Sequence, residues 1–208
     1  LTPMALVVLA ILSVDVVWTA QFAANGYTIT GGEIALTGPQ STIRVGDGST
    51  GGAGFIATID AVLSGDAQLV KTDAGTLLLG GTNSYTGGTR INGGTVRIAA
   101  DANLGAAAGV VTLDGGTLAT TASLASARDI VMAGNGTIAT ADDTTFSFDG
   151  LFSGAGALTK AGAGTLLVTG DNAGFGGTTT VAAGTLAVTG RLGGPVAVDG
   201  GGRLEGTG

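Results

Sequence analysis

Histidine and cysteine are both absent from the 208 residues. Without them the chain can assemble neither a Ser-His-Asp nor a Cys-His nucleophile system, nor a zinc site of the usual Cys and His types. What remains is carboxylates and a few bases. The densest acidic pair is Asp142-Asp143, with Asp129 and Asp149 close by in sequence. Arg128 and Lys160 would complete a cleft of the kind that cuts polysaccharide. Adjacent residues of a strand point to opposite faces, so Asp142 and Asp143 cannot both line one site from a strand. A solvated loop between Thr140 and Thr144 is the expected arrangement. Gly46-Asp47-Gly48-Ser49-Thr50-Gly51 matches G-x-G-x-x-G, yet a dinucleotide site also needs a helix to follow. Here Gly52, Ala53 and Gly54 lead into the strand-like Phe55-Ile56-Ala57-Thr58-Ile59. No P-loop motif exists, and no Asp recurs every nine residues as calcium-binding repeats require. The expected assignment is therefore no catalytic, cofactor-binding or metal-ligating residue, and no cofactor.

Two polar pairs stand out for a different reason. Lys71 and Lys160 occupy one repeat position, 89 residues apart, as do Asn83 and Asn172. An exposed pair could recognise a ligand. The expected alternative is structural: Lys stems covering apolar surface with their heads in water, and Asn side chains closing corners or stacking in short ladders.

A short repeat must position all of these. Gly-Thr-Leu recurs at residues 75–77, 116–118, 164–166 and 184–186, with variants at 94–96, 136–138 and 202–204. The middle residues are 19, 22, 20, 28, 20 and 18 apart (95−76, 117−95, 137−117, 165−137, 185−165, 203−185). A period near twenty suits one turn of a β-solenoid. Strand alternation puts Leu77, Val96, Leu118, Ile138, Leu166, Leu186 and Leu204 on one face, joined by Leu79, Ile98, Val168 and Val188. Thr76, Thr95, Arg97, Thr117, Thr165, Thr185, Arg203 and Glu205 fall on the other. Glycine before each strand supplies the tight corner. Short strands such as Thr89-Arg90-Ile91, Val111-Thr112-Leu113, Ile130-Val131-Met132 and Val196-Ala197-Val198 lead into these corners. The expected fold is all-β, a right-handed parallel β-helix with coils of about 20 residues. About nine coils at ~4.8 Å make a rod on the order of 40 Å. A β-sandwich or adhesin-like module is the alternative.

Composition narrows the partners. The 41 glycines have no Gly-X-Y period, which excludes collagen, and 44% apolar content argues against disorder. With a net charge of −7 and scattered basic residues, nucleic acid is not an expected partner. Met4 to Leu12 is an apolar run too short to span a bilayer, and Asp15 follows soon after it. Residues 1–20 read as an upstream coil or cap and residues 21–208 as the solenoid. No direct membrane insertion by this segment is expected. A chain opening on Leu1 and stopping at Gly206-Thr207-Gly208, inside the pattern, reads as an excerpt of a longer protein.

A longer self-match overlies the short repeat. Leu63-Ser64-Gly65, Leu69-Val70-Lys71 and Ala74-Gly75-Thr76-Leu77-Leu78 align at an offset of 89 with Phe152-Ser153-Gly154, Leu158-Thr159-Lys160 and Ala163-Gly164-Thr165-Leu166-Leu167. The match continues through Asn83 with Asn172 and Gly87-Gly88-Thr89 with Gly176-Gly177-Thr178, then slips by one residue before Gly184-Thr185-Leu186; Tyr85 meets Phe175 if one residue is shifted. Residues 69–89 resemble the passenger-associated transport repeat of bacterial autotransporters, and residues 158–178 look like a second copy. The copies extend over about 63–98 and 152–188. The resemblance implies a non-catalytic stalk and folding or export segment of a surface-displayed, adhesin-type passenger. Its implied partners are a C-terminal outer-membrane β-barrel of the same parent chain and ligands on host or neighbouring cells. The alternatives are a polysaccharide-acting β-helix enzyme and a glycan- or protein-binding module.

Overall fold

The computed structural model describes residues 18–207, so the apolar run of residues 4–17 lies outside the described residues. Leu77, Val96, Leu118 and Ile138 show how the chain winds. Each pairs with the next in parallel register, so successive coils take 19, 22 and 20 residues (96−77, 118−96, 138−118). The whole is a parallel β-solenoid with coils of about 21 residues. Among the described residues the two short helical turns, Thr50–Gly54 and Asp101–Leu104, are 3-10.

Three sides enclose a narrow core. Sheet A has seven strands, from Trp18–Phe22 to Phe152–Gly154. Sheet B has nine, from Tyr27–Ile29 to Val196–Val198, and defines nine coils. Sheet C has five, beginning at Leu124–Ser126 and ending at Gly202–Gly206. Earlier coils carry only the pair Glu33–Leu36 and Val62–Gly65 on the remaining side, continued by irregular backbone bonds from Ser84 to Leu63 and from Ala106 to Tyr85. Alternation behaves as the sequence pattern requires: Leu77, Leu79, Leu166 and Val168 are buried, while Thr76, Leu78, Thr165 and Leu167 are half-buried on the outer face.

The expected single apolar column is in fact two columns on two sheets. On sheet B the ladder runs Ala57, Leu77, Val96, Leu118, Ile138 and then Lys160, Val181 and Val198. Leu166, Leu186 and Leu204 stack instead on sheet C, after Leu124 and Phe146. The long spacing of 28 marks the change. From Ile138 one coil reaches Lys160, and six more residues cross a corner to Leu166. Leu204 is 48% exposed, because among the described residues no strand stacks beyond it.

The 89-residue repeat is therefore not a whole number of coils. Four coils carry Lys71 through Ile91, Leu113 and Met132 to Gly154, 83 residues on (154−71). Six further residues lead across one corner to Lys160. The second copy thus sits one side further round the rod than the first.

Candidate functional site

Both repeat copies are built around a buried lysine. Leu69 and Lys71 lie two apart in the strand Gln68–Thr72, as do Leu158 and Lys160 in Leu158–Ala161, so each Lys shares the inward face of a leucine. Both lysines are fully buried, which corrects the expectation of solvated heads. An ammonium has three donors, and each is used. Lys71 Nζ donates to the carbonyls of Thr72 (2.8 Å), Asp73 (2.8 Å) and Gly93 (3.2 Å). Lys160 Nζ donates to Ala161 (2.8 Å), Gly162 (2.9 Å) and Ala183 (3.2 Å). Two acceptors belong to the corner that follows the lysine, and the third to the coil stacked on it. Burial pushes both ammonium groups down to about 8, with the Asp73 charge opposing this at Lys71.

Backbone conformation completes the cage. Asp73 and its counterpart Gly162 both adopt positive φ, 69° and 74°. Asp73 tolerates it because its carboxylate accepts from Gly48 N (3.0 Å) and Ala74 N (2.9 Å) and faces Arg44 at 3.4 Å. The glycine-rich loop at 46–51 thus places one backbone N–H, that of Gly48, on the Asp73 carboxylate. In the next coil Gly94 and Gly184 have φ of 62° and 66°. A Cβ on Gly94 would stand 2.3 Å from Gly75 O and 2.8 Å from Lys71 Nζ, so only glycine can pass over the caged corner.

The asparagines close the opposite corners, as expected, and are buried. Asn83 accepts from Leu63 N (2.8 Å) and donates to Asn103 O (2.6 Å). Asn172 accepts from Phe152 N and donates to Gly150 O (3.3 Å). Next to them Tyr85 is buried with its hydroxyl 2.6 Å from Thr89 Oγ1. Burial pushes that phenol's pKa up, against the smaller effects of the Thr89 bond and Arg128. In the second copy Phe175 replaces Tyr85, and buried Thr179 Oγ1 has no partner among the described residues.

The acidic cluster is not gathered into a cleft. Asp142 and Asp143 form the exposed turn between Thr140 and Thr144, where Asp143 N donates to Asp142 Oδ1 (3.0 Å). Asp129 accepts from Leu151 N (3.0 Å) and Asp149 from Thr169 Oγ1 (2.9 Å). Arg128 is buried and turned away, paired with Asp101 at 2.8 Å and bound to the carbonyls of Leu104, Gly105 and Gly109. It pins the loop after the second 3-10 turn, a role that nothing in its local sequence signals.

Comparison with known proteins bears on the paired cages directly. The model of the passenger-associated-transport-repeat matches residues 69–98 and 158–188, which span both lysines and both covering glycines. Two such repeats are present in this chain. The chain is also 64% identical over 101 residues to the adhesin BmaC autotransporter of Brucella suis biovar 1 (strain 1330). That match covers 49% of this chain and 3% of the relative. No solved structure matches the chain. The repeat match bears out the resemblance of residues 69–89, and the relative supports the resemblance to an autotransporter passenger. Each transport repeat is, physically, one caged lysine, one glycine-covered corner and one asparagine-closed corner.

Proposed function

We propose that this chain is a non-catalytic β-helical stalk and folding segment of an autotransporter passenger, displayed on the bacterial surface as part of an adhesin-type protein. It is tethered through a C-terminal outer-membrane barrel of the same parent chain. The observation that carries this reading is the second caged lysine, 89 residues after the first, on the neighbouring side of the same parallel solenoid. A buried ammonium is costly until its acceptors are in place. Each cage forms only when a corner closes and the next coil is laid on it, which suits a chain that folds coil by coil outside the cell. The adhesin relative favours a non-enzymatic role.

Deleting residues 63–190 from the parent should abolish protease-resistant surface display, scored by whole-cell proteolysis. Asp142→Ala and Asp143→Ala should leave display and adhesion intact. A purified chain that hydrolyses polysaccharide, and loses that activity on Asp142→Ala, would overturn the proposal.

A further inference from the structure

Seven of the eight basic residues have an ion-pair or hydrogen-bond partner among the described residues, the exposed Arg191 only at 4.0 Å. Arg44, Arg90, Arg128, Arg191 and Arg203 pair with Asp73, Asp114, Asp101, Asp171 and Glu205. Lys71 and Lys160 are caged by carbonyls. Arg97 alone has neither an ion pair nor a hydrogen bond among the described residues. It stands on the outer face of sheet B, in register between Leu78 and Ala119, and the row continues through Ala139 and Ala161 with no acid in it.

Two depressions of about 320 Å³ each share Arg97 in their lining. One is lined by Leu78, Leu79, Ile98 and Ala99, together with Thr82, Asn103 and Thr121. The other is a shelf of Ala119, Ala139 and Gly162. Both have the volume of small binding sites. A cation left unpaired between two largely apolar hollows offers a local positive charge to an external anion. The planar fork of arginine matches a carboxylate in two parallel bonds. Neither depression is lined by an aromatic ring on which a sugar could stack. Apolar hollows suit aliphatic side chains instead.

We propose that this groove binds an extended acidic peptide. A Glu or Asp carboxylate sits on Arg97 and an aliphatic side chain enters each hollow. In an extended chain same-side residues are about 7 Å apart, so the recognised pattern is aliphatic-x-acid-x-aliphatic. The site stands independently of the export reading, because it needs only the folded sheet.

Fluorescence anisotropy of the purified chain with fluorescein-labelled Leu-Ser-Glu-Ser-Leu tests it. Binding should saturate, weaken with added NaCl, and fall at least about fivefold when Gln replaces Glu in the peptide. Arg97→Gln should weaken it by a similar factor with the thermal melt unchanged, since Arg97 has no partner to lose. Ala139→Asp, also on the outer face, should abolish it. Equal binding of the Gln peptide, or wild-type binding by Arg97→Gln, would overturn the proposal. So would Arg97-dependent binding of polygalacturonate without binding of the peptide.

Discussion

One hydroxyl separates the two transport repeats at their aromatic position, and its energetic consequence is calculable. Tyr85 and Thr89 satisfy each other, whereas Phe175 leaves Thr179 Oγ1 buried and unpaired. Tyr85→Phe should therefore cost about 1–2 kcal/mol in a denaturant melt, and Phe175→Tyr should recover about 1 kcal/mol. Stability lost in Phe175→Tyr would mean that the second copy has no room for the phenol. The caged lysines make a pH prediction. Their pKa falls to about 8 in the fold from an ordinary value near 10.5. Between those values the unfolded chain binds more protons than the folded one, so stability rises with pH across that window. The comparison belongs at pH 8 and 9.5, below the range where Tyr85, which resists ionisation in the fold, reverses the trend. Lys71→Met combined with Lys160→Met should flatten the rise while lowering overall stability, because the carbonyls of both cages lose their donor.

At each corner, strand alternation decides what a substitution costs. Leu77 and Leu166 face inward and are fully buried, while Leu78 and Leu167 face outward and are half-buried. Leu77→Asp or Leu166→Asp places an unpaired charge in an aliphatic stack and should cost several kcal/mol, on the order of 3–5. The same change at Leu78 or Leu167 should cost on the order of 1 kcal/mol or less. Equal loss at the two positions, measured as the shift in guanidinium midpoint, would show that the register is wrong by one residue.

Along the rod, stability is a chain of nearest-neighbour interfaces, and a final coil has a neighbour on one side only. Val196, Val198 and Leu204 are 37, 46 and 48% exposed on the last strands of sheets B and C. The free edge of Gly202–Gly206 adds unpaired backbone groups. The isolated chain should therefore self-associate end to end in analytical ultracentrifugation at micromolar concentration. Leu204→Lys should shift it toward monomer. A monomeric wild-type chain would show that this end is protected in some other way.

The repeat period, the parallel coil, the inward and outward faces and the location of the acidic turn at 142–143 are all legible in the sequence. Each follows from local rules: strand alternation, glycine at corners, and stacking of like residues at a fixed period. Even the burial of Lys71 and Lys160 has a local signal, since each lies two residues after an inward leucine. The charge obscured it, because a lysine is ordinarily solvated. Whether an ammonium can leave water depends on three carbonyls, one of them about 22 residues away (93−71), and no local pattern fixes that distance. The placement of the second repeat one side round the rod is likewise a property of the stacked coils. Sequence spacing counts residues along the chain, while the side a residue occupies depends on how many corners the chain has turned. Arg97 makes the same point: its exposure is ordinary, and only the folded sheet shows that, among the described residues, every other Lys and Arg has a partner and it does not.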